Sequence, residues 1–274
     1  MDRKIIYTKF SKTRKKEVSL KTSIFQDEKG KLRVEKKGNK YSKDTIQELI
    51  NTYKRIKDVS EKFEVVPIKQ TDKYTVEFPF INGLSLQEQV SSATSKEEFH
   101  SLIEYYIELL NSIPTERCSL DNNFEKVFGK VEKDKEYVCL KEGILDLNLS
   151  NLIIDSKGKA HFFDYEWCYD FPIPKDFILF RALLVFYFNN MPNTFYTLYE
   201  LLGKYINSKK DIKQYNWWEA YFQNKIVTKQ KQNTKYILPS IDIDILGMDK
   251  TNKSLQEEIS TIRIKNQEQT NLLQ

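Results

Sequence analysis

The chain has 274 residues, enough for one or two domains with a substantial core. Its 44 basic and 39 acidic residues leave a net charge of +5 mixed along the chain, without an Arg-rich aromatic stripe, which argues against a nucleic-acid partner. Three widely spaced cysteines give neither a disulfide framework nor zinc spacing, and no stretch reads as a signal peptide or membrane span, so a cytoplasmic protein is expected, one that can still work at the periphery of the inner membrane.

In chain order, Ile5 to Phe10, Val18 to Phe25 and Leu32 to Val34 read as short strands, with Asp27-Glu28-Lys29-Gly30 turning between the last two. The loop between the first two strands, Ser11-Lys12-Thr13-Arg14-Lys15-Lys16, contains no Gly. Alternation about Val34 puts Lys36 on the inward face and Lys37 outside, and an inward Lys needs anionic partners. Ser42 to Val59 carries Ile46, Ile50, Tyr53 and Ile56 at helical spacing, with Ser42 as N-cap. Phe63 to Ile68 and Tyr74 to Phe80 read as a strand pair interrupted at Pro79. Lys96 to Ile113 is an amphipathic helix on which His100 reads as a surface residue.

The stretch from Gly143 to Trp167 carries the chemistry. Leu152-Ile153-Ile154, the turn Asp155-Ser156-Lys157-Gly158 and the run Ala160 to Phe163 predict a β-hairpin, with His161 structural within it. Asn151 opens the first strand and Asp164 closes the second, so an amide oxygen and a carboxylate are expected roughly 5 Å apart across the ladder. Such hard oxygens suit Mg²⁺, which takes few protein ligands and completes its shell with water and substrate phosphates. Asp146 precedes Asn151 by the spacing of a kinase catalytic loop, where the Asp accepts a hydroxyl proton and the Asn holds a metal.

Beyond it, Phe177 to Asn189 is apolar nearly all round, and Arg181 within it calls for an acidic partner such as Asp170 or Asp176. Phe195 to Ile206 and Tyr215 to Lys225 are amphipathic, the second with Trp217 and Trp218 as core or groove wall. From Asp249 to Gln274, Leu255, Ile259, Ile262, Asn266, Gln269 and Leu273 form a heptad seam able to support an oligomer.

Asp146-Leu147-Asn148-Leu149-Ser150-Asn151, the hairpin and Asp164 together resemble the catalytic half of the kinase-like fold, nearer to aminoglycoside and choline phosphotransferases than to protein kinases. The string DYEWCYDFPIPKDFILFRAL, Asp164 to Leu183, resembles the kinase modules of bacterial surface-polysaccharide (O-antigen) synthesis. Two departures stand out: the residues before Asp146, with Leu145 directly preceding it, include no catalytic-loop His, and the first loop lacks glycine. The resemblance implies an α+β, bilobal fold, with a β-rich N-lobe over 1–82, a helical C-lobe over 83–247 and a coiled-coil-like helix over 248–274.

It also implies roles. Lys36 would pair nucleotide phosphates, with Glu48 of the following helix as its partner. Ser11, Lys12 and Arg14 would stand in for a Gly-rich loop, and Glu77-Phe78-Pro79-Phe80 would form the adenine hinge. Asp146 would be the base, Asn151 and Asp164 the metal ligands, with Glu166 a further candidate for the metal shell. The expected function is ATP- and Mg²⁺-dependent phosphoryl transfer to a hydroxyl of a sugar or polysaccharide acceptor. Two alternatives stand beside it: a nucleotide-binding pseudokinase scaffold, and a small-metabolite or antibiotic phosphotransferase with an acidic acceptor cleft formed by Glu142, Glu166 and Asp170.

Overall fold

A computed structural model describes residues 3–10, 14–132, 135–190, 195–206 and 208–227. Ser11, Lys12 and the heptad seam of the tail lie outside the described residues. The chain opens with strands β1 (Lys4–Phe10), β2 (Lys21–Gln26) and β3 (Leu32–Lys37), followed by helix α1 (Lys43–Ile56). Val18 belongs to a 3-10 turn rather than to the second strand. Ser42 caps nothing with its side chain; its Oγ accepts the amide of Asn39 and shapes the preceding turn.

Next come β4 (Phe63–Val65), β5 (Lys69–Asp72), β6 (Thr75–Pro79) and β7 (Gly83–Ser85). Five strands form an antiparallel N-terminal sheet in the order β1-β2-β3-β6-β5. The expected pairing of Phe63 to Ile68 with Tyr74 to Phe80 is corrected here, because β5 takes that partner and β4 leaves the sheet. The burial pattern explains why: Phe63 and Val65 are buried apolar residues, whereas all four residues of β5 are exposed and polar, suited to a sheet edge.

Helices α2 (Leu86–Ser91) and α3 (Lys96–Asn111) start the helical part, α2 behind a capping box of Ser85 and Glu88. Strand β8 (Thr115–Ser119), helix α4 (Asn122–Phe128) and strands β9 (Glu136–Leu140) and β10 (Gly143–Ile144) lead to the hairpin β11 (Leu152–Asp155) and β12 (Ala160–Phe162). β13 (Cys168–Tyr169) and β14 (Ile173–Pro174) precede helices α5 (Lys175–Asn190), α6 (Leu198–Tyr205) and α7 (Lys209–Ile226).

The predicted hairpin forms, with Leu152 opposite Phe162, and it is held on both sides. β4 pairs parallel to β12 and β7 antiparallel to β11, so a segment from the first half of the chain buttresses the hairpin. α5 is buried on almost every side, as its continuous apolar run requires. α4, α5 and α7 meet in an aromatic core where the Phe128 ring contacts Phe124, Phe177 and Phe222. Trp218 is fully buried in this cluster, while Trp217 packs over Gly129, whose positive φ of 86° and close approach to the indole both exclude a side chain. His100 is half-buried, bonded to the hydroxyls of Tyr196 and Tyr205, so it is a helix-packing group rather than a surface residue. His161 is structural as expected, its Nε2 3.0 Å from Asp155.

Candidate functional site

A cavity of about 990 Å³ lies between the N-terminal sheet and the helical part. Lys36, Phe78, Phe80, Asp146, Asn151 and Asp164 all line it. They arrive from four separate segments of the chain.

Asp146 sits just past β10. The pairing of β10 with β13 continues as Leu145 N–H bonds to Trp167 C=O, which brings the Trp167 N–H to 3.0 Å from Asp146 Oδ2. The other carboxylate oxygen lies 3.3 Å from Arg181 Nη1. That nitrogen also donates to the carbonyl of Leu145 at 3.0 Å, while Arg181 Nε donates to Glu219 Oε2 at 3.0 Å. All three charged side chains are buried. Burial pushes the Asp146 carboxyl above its usual range; Arg181 opposes this, and nearby Asp164 and Glu166 reinforce it. Beneath the loop, Tyr106 of α3 donates its hydroxyl to the Leu147 carbonyl at 2.7 Å.

The network corrects one expectation. Arg181 is partnered by Glu219 and Asp146, not by Asp170 or Asp176. Leu145, directly before Asp146, is an apolar core residue, and the loop that carries Asp146 is fastened by an arginine from α5.

The hairpin register departs from expectation by one residue. Phe163, not Asp164, faces Asn151, with its N–H on the Asn151 carbonyl at 3.0 Å. Asp164 then adopts a left-handed φ of 59°, the one non-glycine to do so among the described residues. This turns the chain out of the ladder and its carboxylate toward Lys36. Asn151 donates its amide nitrogen to the Asp146 carbonyl at 2.9 Å, so its Oδ1 is presented as an acceptor, with Ser150 Oγ at 3.3 Å. An amide oxygen and a partly exposed carboxylate fit Mg²⁺. Among the described residues no group of three or more His, Cys, Asp or Glu could hold a metal, so a bound cation would need water and substrate phosphates to complete its shell.

Lys36 is inward and buried, as alternation predicted, and its ammonium contacts both Asp164 and Glu166. Burial works against its charge, but the two carboxylates more than compensate and its pKa is raised. Glu48 is not its partner. It lies on the exposed face of α1 and bonds Arg55 at 3.1 Å. Arg14 does reach the cavity, where its guanidinium binds Glu166 and lies 5.7 Å over the Trp167 ring. Burial would push the Glu166 carboxyl up, yet Lys36 and Arg14 together hold it below the usual carboxylate range.

Val34, Val66, Phe78, Pro79, Phe80 and Ile81 line the apolar end of the cavity. Glu77 does not join them: β6 is flanked on both sides at this residue, and its side chain reaches Arg3 at 3.0 Å. Trp167, Val185, Gln223, Ile226 and Val227 also line the cavity, so α5 and α7 contribute to its wall. The acidic cleft is not formed there. Glu142 bonds Arg55 at 3.1 Å, Asp170 is not part of the lining, and Glu166 is bound by two cations.

Neither a protein-family model nor a curated protein matches the sequence. Among solved structures, the chain is similar to the ADP-bound aminoglycoside phosphotransferase APH(2'')-Ib, with a TM-score of 0.52 at 10% identity over 92% of this chain and 93% of that one. The fold is kinase-like. Weaker likenesses are to the streptomycin-ATP complex of APH(2")-IIa, with a TM-score of 0.48 at 13% identity over 80% and 83% of the chains, and to macrolide 2'-phosphotransferase type I, at 0.42 and 9% over 85% and 91%. On this bilobal plan the cavity occupies the cleft between the β-rich and helical lobes. Within the described residues no helix is long and apolar enough to cross a membrane.

Proposed function

We propose that this protein is an ATP- and Mg²⁺-dependent phosphotransferase acting on a hydroxyl of a sugar or cell-surface polysaccharide, O-antigen-like, acceptor in the cytoplasm. The observation that carries the reading is the convergence of Asp146, Asn151, Asp164 and Lys36 on one cleft between two lobes. The apolar end, with Phe78 and Phe80, suits adenine. Lys36 would meet the phosphates, and Asn151 and Asp164 would hold Mg²⁺, which would neutralise charge on the transferring phosphoryl group.

Asp146 would take the acceptor hydroxyl proton. Its raised pKa brings the carboxyl nearer to neutrality, where a general base is most effective, while the Trp167 amide and Arg181 fix its direction. Trp167, whose backbone N–H bonds Asp146, also lines the cavity and would meet the acceptor there. The polysaccharide class itself rests on the resemblance of the segment from Asp164 to Leu183, and fold analogy alone does not choose an acceptor.

The test is transfer of the γ-phosphoryl group of ATP to a panel of sugars, sugar phosphates and oligosaccharides, with aminoglycosides alongside. Mg²⁺-dependent labelling of a carbohydrate, lost in Asp146→Ala, is the expected result. Labelling of aminoglycosides alone would replace the acceptor assignment, and labelling of nothing despite nucleotide binding would favour the pseudokinase scaffold.

A further inference from the structure

Resting on that reading of the cleft, we infer that Glu166 is the positioning residue for the nucleotide phosphates, performing the task expected of Glu48 by holding Lys36 and Arg14 together at the end of the catalytic stretch. Each of its oxygens takes one cation: Oε1 meets the Lys36 ammonium and Oε2 the Arg14 guanidinium. Those cations come from β3 and from the loop after β1, 130 and 152 residues away in sequence. A single carboxylate therefore ties two N-lobe elements to the segment that carries Asp164.

Exposure separates the roles of the two carboxylates around Lys36. The Asp164 side chain is 37% exposed, whereas Glu166 is 6% and Lys36 5% exposed. Asp164 is open to the cleft and to an incoming cation; Glu166 is nearly buried at the cavity wall, with both oxygens occupied. When a metal draws on Asp164, Glu166 is the partner left to Lys36. Without it, a buried ammonium must turn wholly to Asp164 or lose its compensation, and either outcome removes it from the phosphates.

The arrangement also accounts for a first loop with no glycine. Arg14 is fixed from two directions. Its side chain binds Glu166, and its backbone bridges to Val227 while the next amide, Lys15 N–H, bonds the Ile226 carbonyl at 2.9 Å. A guanidinium held in this way offers phosphate a rigid planar donor where a Gly-rich loop would offer backbone N–H groups.

The experiment measures ATP affinity in EDTA and in Mg²⁺ for wild type, Glu166→Gln and Glu166→Asp. In parallel it takes a urea-unfolding double-mutant cycle of Glu166→Gln with Lys36→Met in the absence of nucleotide. Positioning predicts that Glu166→Gln weakens metal-free ATP binding about tenfold or more, the scale of a lost hydrogen bond to a charged group. It also predicts partial recovery in Glu166→Asp and non-additive unfolding of the Lys36 pair. A Glu166→Gln variant that binds metal-free ATP as well as wild type and loses only Mg²⁺ dependence would make Glu166 a metal ligand and overturn the inference. Wild type that binds no nucleotide, even with the unfolding coupling intact, would instead overturn the phosphotransferase reading and this role with it.

Discussion

The two walls of the cleft are built in different ways. The C-lobe wall is local in sequence: Asp146, Asn151 and Asp164 fall within one loop and hairpin, and the backbone itself sets most of their geometry through the Leu145–Trp167 and Asn151–Phe163 hydrogen bonds. The N-lobe wall is assembled at long range, with the charged ends of Lys36 and Arg14 meeting their carboxylate partners across the cleft. A locally encoded wall keeps its shape when one side chain is lost. The wall made of cross-lobe ion pairs should not.

The largest expected effect lies on the local wall. Asp146→Asn should lower phosphoryl transfer by about 10²–10⁴-fold while nucleotide affinity stays near wild type, measured by single-turnover kinetics beside ATP titration. Arg181→Met tests the network beneath it. This change leaves Glu219 and Asp146 buried without their cation, and should cost about 3–5 kcal/mol in urea unfolding. A cost under about 1 kcal/mol would mean that Arg181 does not fasten the loop.

The cross-lobe wall predicts an acid dependence. Glu166 is held below its ordinary pKa in the folded chain, so it contributes stability that is fully present above the unfolded value of about 4.3 and lost as pH falls through the folded one. Wild type should therefore lose urea stability below about pH 5 more steeply than Glu166→Gln, which has no carboxyl to protonate there. Parallel slopes would contradict the Lys36–Glu166–Arg14 arrangement. The smallest effect is expected from Glu48→Ala. An exposed pair with Arg55 contributes about 0–1 kcal/mol, and nucleotide affinity should not change.

Legibility in the sequence follows the same division. The hairpin, the inward Lys36 and the buried α5 were readable because period two, turn residues and an unbroken apolar run are local signals. The partner of Asn151 was off by one residue because the register is set at the turn, where Asp155 N–H bonds the Lys159 carbonyl, and the limits of the apolar runs do not show where the turn closes. Glu48 was misplaced because helical spacing puts a Glu on a face without saying what that face meets. Arg181 announced itself as a buried charge, but its partner Glu219 lies 38 residues on, in a helix whose pattern reads simply as amphipathic. The exchange of β4 for β5 in the N-terminal sheet could have been found by weighing burial: an apolar Phe-x-Val does not suit an exposed edge.

The central claim is that the cleft binds a nucleotide through a metal held by Asp164. Thermal unfolding of wild type and Asp164→Ala, with ATP, GTP or neither and with or without Mg²⁺, tests it most directly. A nucleotide at a hundred times its Kd should stabilise wild type by about 2.7 kcal/mol. The expected result is that Mg²⁺ increases this stabilisation in wild type and that the Mg²⁺-dependent increase is lost in Asp164→Ala. No stabilisation of wild type under any of these conditions would contradict it.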